Sequence, residues 1–120
     1  MKKQYREKQV AKNAQYFLSK LLSGLETFDS SMRGVFLSVT DVRVSSDLRL
    51  CSCFYTLRID VTNVLPAQVS TVLEENKKRM RFLLSRYLNL KYAPDLRFTY
   101  AAAFDNVSQV QKLLQVIRKS

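Results

Sequence analysis

The sequence contains no histidine and no tryptophan, and its 120 residues include only two cysteines, two glycines and two prolines. Without histidine it lacks the commonest general base and metal ligand, and two cysteines alone cannot complete a four-ligand zinc site. It shows no paired carboxylates suited to acid–base chemistry, and Ser46 and Asp47 are typical of a turn. We therefore expect no catalytic residues, no metal site and no cofactor.

Long apolar runs are also absent. No segment approaches the roughly 20 apolar residues that cross a bilayer, and the first residues lack the apolar stretch of a signal peptide. We expect a cytoplasmic protein that does not enter membranes.

Cys51 and Cys53 stand two apart in a predicted strand and share one face, which suits two reduced core thiols better than a disulfide.

Positive charge is what the sequence has in excess, with 20 Lys and Arg against 10 Asp and Glu and a formal net charge of +10. Among residues 1–20 the only acidic residue is Glu7, and among residues 77–97 it is Asp95. Clustered cations suit a phosphate backbone, because each neutralised phosphate releases counterions. The alternative is a solvated surface that only keeps the protein soluble.

Apolar residues at helical spacing predict a first helix over residues 4–27. Two strands follow, over residues 35–44 and 51–61, and both alternate apolar and polar side chains. In the first strand the alternation changes phase across Thr40 and Asp41, which predicts a β-bulge or a change of packed face. The two strands therefore predict a hairpin with one apolar side.

Pro66 begins a predicted helix over residues 66–88, because its fixed backbone angle suits a first turn. Asn76 stands on the apolar side of that helix. Asparagine is a weak helix former, so the helix either breaks near Asn76 or runs straight while the Asn76 side chain bonds a neighbouring carbonyl. A strand over residues 96–100 and a last helix over residues 107–118 complete the chain.

These elements predict one α+β domain over residues 1–120, with a three-stranded sheet and the helices on one face. The order helix, strand, strand, interrupted helix, strand is that of a type II KH-like domain, here followed by a C-terminal helix. We expect residues 1–8 and 119–120 to be mobile at the ends of this domain.

Two stretches of the sequence carry a more specific signal. Residues 35–48 are VFLSVTDVRVSSDL, and residues 80–98 are MRFLLSRYLNLKYAPDLRF. They resemble two motifs of the bacterial ribosome-binding factor A family, a T-D-V-x-V-S-x-D-L element after a strand and an I-R-x-x-L followed by L-x-L-R-x-x-P-x-L-x-F. Their order and spacing extend the resemblance over nearly the whole chain.

This resemblance implies a function. Members of the family bind the free small (30S) ribosomal subunit, assist late maturation of its 16S rRNA, notably at the 5′ end, and matter most for growth in the cold. Their fold lacks the GxxG loop that clamps nucleic acid in ordinary KH domains, and the only glycines here, Gly24 and Gly34, agree. The family has instead an Ala-x-Gly kink, whose matching positions are Asn76, Lys77 and Lys78, so the kink motif is not kept.

Charge and resemblance together predict a monomeric, non-enzymatic factor that binds the small ribosomal subunit and its 16S rRNA, with an assembly GTPase as a further candidate partner. The predicted RNA-binding residues are Lys77, Lys78, Arg81, Arg86 and Lys91, together with Lys2, Lys3, Arg6, Lys8 and Lys12. Phe82, on the same helix face, either stacks on a base or packs against a loop. The alternatives are a general KH-like nucleic-acid-binding module and a protein-interaction domain whose basic face meets an acidic protein.

Overall fold

The structure is a computed structural model that describes the backbone of residues 2–101 and the side chains of residues 6–101. Its helices and strands are α1 (Lys2–Ser23), β1 (Val35–Val44), β2 (Leu50–Ile59), α2 (Pro66–Glu75), α3 (Lys77–Leu88) and β3 (Asp95–Tyr100). The predicted α+β order is confirmed over these residues. The helix predicted over residues 107–118 and the end at residues 119–120 lie outside the described residues.

The first helix ends earlier than the sequence predicts. α1 stops at Ser23 because Gly24 leaves helical geometry, with φ −105° and ψ 44°, and a 3₁₀ turn then covers Leu25–Thr27. The Thr27 hydroxyl donates a hydrogen bond to the Gly24 carbonyl at 2.6 Å, which closes this turn. At its other end α1 begins at Lys2, so residues 2–8 form its first turns and their expected mobility stays a prediction.

The sheet has the order β1-β2-β3, with β1 antiparallel and β3 parallel to β2. Val39 pairs with Tyr55 and Asp41 pairs with Phe54, so Thr40 is an extra residue in β1. The Thr40 hydroxyl donates to the Phe54 carbonyl at 3.2 Å. The bulge predicted from the change of phase is confirmed, and it returns Val42 to the buried face.

The core lies between one face of this sheet and the helices. Side chains of all three strands are buried there, among them Leu37, Cys53 and Leu96. Ala14, Leu18 and Leu22 of α1 meet them, together with residues of α2 and α3. Within the described residues, the opposite face of the sheet has exposed side chains, in agreement with the prediction that the helices lie on one face. None of the helices described is long and apolar enough to span a membrane.

Asn76 interrupts the long helix and separates α2 from α3. Its backbone has φ −104° and ψ 5°, and its side-chain amide donates to the Val72 carbonyl at 2.8 Å. The two alternatives left by the sequence are thus combined, because the helix breaks at Asn76 and the side chain also bonds the carbonyl one turn earlier.

Candidate nucleic-acid interface

α1 and α3 lie side by side and run in opposite directions. The ring of Phe17 in α1 stacks on Tyr87 near the end of α3, with ring centroids 4.7 Å apart. Just beyond the end of α1, the Phe28 ring lies 5.4 Å from the guanidinium carbon of Arg79 near the start of α3. Side chains that are far apart in sequence therefore lie on one surface.

On α1, the exposed ridge of this surface carries Lys12, Tyr16 and Lys20, one helical turn apart from each other. The Lys20 ammonium lies 4.6 Å from the centre of the Tyr16 ring. Hydrogen bonding to Tyr16 raises the pKa of Lys20 above its ordinary value, so this ammonium keeps its charge to higher pH than an ordinary lysine. The ridge thus combines two cations with an exposed aromatic ring.

On α3, Lys78, Phe82 and Arg86 form a parallel exposed ridge with the same spacing. Phe82 is 58% exposed, and the Arg86 guanidinium lies 5.8 Å from its ring centre. Phe82 therefore lies open to solvent beside Arg86, and its stacking on a base stays a prediction. We call the two ridges with the residues between them the α1–α3 surface: Lys12, Tyr16, Lys20, Lys78, Arg79, Phe82, Arg86 and Tyr87.

Two of the predicted RNA-binding cations on α3 have partners within the chain, and their binding to RNA stays a prediction. Lys77 is only 24% exposed, and its ammonium pairs with Glu74 at 2.8 Å. Arg81 turns to the other flank of α3, where its Nε donates to the Pro94 carbonyl at 2.9 Å and its Nη2 to the Ala93 carbonyl at 3.3 Å. Lys77 thus pairs with a carboxylate three residues earlier, and Arg81 links α3 to the loop before β3.

The N-terminal cations are also divided by the structure. Arg6 lies on the flank of α1 that faces α3, while Lys8 lies about 180° around the helix from Phe17 and so faces away from α3. Lys12 lies about 140° around α1 from Phe17 and so forms the outer edge of the α1–α3 surface. Lys2 and Lys3 lie in the first turn of α1, and their side chains are outside the described residues.

Arg6 and Lys91 line one groove at the end of the α1–α3 surface, together with residues that the sequence did not single out for binding. This groove, of about 260 Å³, is called the Tyr92 groove and is lined by Arg6, Asp47, Leu48, Arg49, Leu90, Lys91 and Tyr92. Its residues come from three segments far apart in sequence, so local periodicity could not assemble them. The one sequence feature that pointed to this part of the molecule was the S-x-D-L element, which contributes Asp47 and Leu48 to the groove.

The described residues offer little for catalysis. Burial raises the pKa of both Cys51 and Cys53 to about 12, so these free thiols are protonated near neutral pH and are weak nucleophiles and ligands. In the described part of the chain, no three His, Cys, Asp or Glu side chains come together to hold a metal ion. What the surface offers is positive charge and exposed aromatic rings, the groups that bind phosphates and stack on bases.

Comparison with protein families gives a match over most of the chain. The family model described as ribosome-binding factor A matches residues 6–114. A ribosome-binding factor A of Nitrobacter winogradskyi is 31% identical over 111 residues, which cover 92% of this chain and 79% of that protein. A ribosome-binding factor A of Bartonella quintana is 35% identical over 97 residues, which cover 80% of this chain and 71% of that protein.

The fold also matches a solved structure. The crystal structure of ribosome-binding factor A from Thermus thermophilus superposes with a TM-score of 0.62 and covers 78% of this chain and 94% of that one. The identity is 19%, so this likeness shows a shared fold. The KH-like architecture predicted from the sequence is consistent with it.

Proposed function

Because the chain belongs to the ribosome-binding factor A family, we propose that it binds the free small ribosomal subunit and assists late maturation of 16S rRNA, including its 5′ end. It acts without catalysing a reaction. We expect it to work in the cytoplasm as a monomer, with an assembly GTPase as a candidate partner.

The observation that carries this proposal is the α1–α3 surface. In residues 6–101, none of its cations forms an ion pair with a carboxylate of the chain, so their charge is available to a partner. Exposed Tyr16 and Phe82 stand among these cations and offer flat apolar faces. Phosphates attract the cations and unpaired bases stack on the rings, so RNA fits this surface better than an acidic protein.

We infer that the protein stabilises one arrangement of the 16S rRNA over others. Its effect is then limited by the difference in its affinity for those arrangements. With no GxxG loop, recognition depends mainly on the shape of the RNA rather than on the reading of base edges. A greater requirement in the cold follows if misfolded RNA then escapes more slowly from wrong pairings.

The test replaces three cations of the α1–α3 surface and compares the result with a matched control. The surface variant is Lys20→Gln, Lys78→Gln and Arg86→Gln, and the control is Arg33→Gln, Arg43→Gln and Arg58→Gln. Both variants lose three positive charges, and the pairs that the control breaks are exposed and contribute little to stability. Affinity for isolated small subunits is measured by co-sedimentation.

We expect the surface variant to lose affinity for small subunits on the order of tenfold or more, because contacts to phosphates are removed. The control should bind within about twofold of the unmodified chain, and both variants should keep its melting temperature. Equal losses in the two variants would mean that only total charge matters, which contradicts the assignment to this surface.

A further inference from the structure

The Tyr92 groove has apolar walls. Leu48 and Leu90 are half-buried in it, and Tyr92 lines it with a ring that is 67% exposed. These residues lie on two different connections, the turn between β1 and β2 and the loop between α3 and β3. Leu48, Leu90 and Tyr92 lie outside the α1–α3 surface. RNA binding by that surface therefore does not explain why an exposed tyrosine lines the groove.

The groove also carries a positive charge in excess. Arg6, Arg49 and Lys91 line it, and in the described side chains none of the three forms an ion pair. Among the described residues that line it, Asp47 alone is acidic. Hydrogen bonds from the Ser45 hydroxyl and the Arg49 amide hold the pKa of Asp47 below its ordinary value, so it is ionised. The groove thus holds three cations and one carboxylate, and one oxygen of that carboxylate already accepts hydrogen bonds within the turn.

The turn that forms one wall is strained and firmly held. Leu48 has φ +60°, a left-handed conformation that glycine or asparagine normally occupies at this position of a hairpin turn. The Leu48 amide donates to the Ser45 carbonyl and the Ser45 amide to the Leu50 carbonyl, each at 2.9 Å. A leucine here is unfavourable for the backbone but gives the groove an apolar wall. Backbone strain held in this way is frequent at binding sites.

We propose that the Tyr92 groove binds a single unpaired nucleotide of an RNA strand. The base stacks on Tyr92 against the apolar wall of Leu48 and Leu90, and the flanking phosphates lie among Arg6, Arg49 and Lys91. A simple anion would leave the apolar wall unused, and an apolar ligand would leave the cations unused. The base must be unpaired to present its face to the ring. This inference rests on the proposed function, because it assumes that RNA is the partner.

The test uses a single-stranded uridine hexanucleotide as the probe, with uridine monophosphate and inorganic phosphate as comparison ligands. Binding is followed by amide chemical shifts in NMR spectra of the full chain. We expect the hexanucleotide to shift the amides of Leu48, Arg49 and Tyr92. Shifts of the same size from phosphate or the mononucleotide, at the same affinity, would show an anion or free-nucleotide site and overturn the RNA proposal.

Variants separate the role of the ring from that of exposed aromatic surface in general. Tyr92→Ala should weaken hexanucleotide binding about tenfold, a loss typical of one stacked base. Phe36→Ala, which removes a ring that is 47% exposed on the opposite face of the sheet, is the matched control and should bind normally. Leu48→Gly keeps the left-handed turn without strain but removes the apolar wall, so it should fold and bind more weakly.

The same variants distinguish this inference from the proposed function. If Tyr92→Ala and Phe36→Ala bind both the hexanucleotide and small subunits as the unmodified chain does, the groove proposal is overturned and the function stands. If the unmodified chain itself binds no small subunits, the proposed function fails, and the hexanucleotide result then decides whether the groove still takes RNA.

Discussion

At the scale of residues, cations of the same type on α3 have different tasks. Lys78 and Arg86 are exposed and form no ion pair within residues 6–101, while Lys77 pairs with Glu74 and Arg81 donates to two carbonyls. The acceptors of Arg81 lie 12 and 13 residues further along the chain. Charge patterning could therefore predict a basic helix, but it could not show which cations the fold itself uses.

This division predicts different effects on stability. Arg81→Ala should lower the free energy of unfolding by about 2 kcal/mol, because two hydrogen bonds from a charged donor to the loop before β3 are lost. Lys78→Ala should change it by less than about 0.5 kcal/mol, as is usual for an exposed side chain that makes no ion pair within the described residues. Urea unfolding monitored by circular dichroism measures both. Equal effects in the two variants would mean that the Arg81 hydrogen bonds contribute nothing.

At the scale of elements, the sheet was the most predictable part. The change of phase in β1 could be seen in the sequence, because a strand alternates strictly and one extra residue reverses which side chains are buried. Thr40 proved to be that residue. The end of α1 was predicted four residues too late, since the apolar spacing continues to Leu25 although Gly24 has already ended the helix.

The bulge allows a prediction about deletions. Without Thr40, Val39 should still pair with Tyr55, and Asp41 should still pair with Phe54. The remaining side chains of β1 should therefore stay on the same face of the sheet as before. We expect a loss of about 1 kcal/mol, mainly from the Thr40 hydrogen bond. Removing Thr56 from β2, which has no extra residue, should cost at least about 3 kcal/mol because one part of the strand must reverse its faces. Thermal unfolding of both deletion variants measures these losses, and a Thr40 deletion that costs as much stability as the Thr56 deletion would contradict the prediction.

The candidate site was less predictable than the sheet. The two charged clusters were visible in the sequence, but their meeting depends on the antiparallel packing of α1 against α3. The Tyr92 groove depends further on two loops that approach the N-terminal part of α1. Such long-range proximity is set by tertiary packing, and no local pattern reports it.

At the scale of the whole molecule, the two sides of the domain differ in charge. On the open face of the sheet, Arg43 pairs with Asp41 at 3.2 Å and Arg58 pairs with Asp60 at 3.3 Å. On the helical side, the cations of the α1–α3 surface and the Tyr92 groove form no such pairs within residues 6–101. Among the described side chains, the cations without a carboxylate partner thus lie mainly on the helical side, which favours one orientation of the protein toward a polyanion.

Binding to the small subunit is tested by co-sedimentation of the purified protein with small subunits, large subunits and assembled ribosomes over a series of salt concentrations. We predict retention by free small subunits alone. If about four phosphates of an unpaired RNA strand are neutralised, affinity should fall about fifty-fold between roughly 50 and 200 mM salt. Equal and salt-sensitive retention by all three particles would show a nonspecific cation and contradict the assignment to the small subunit.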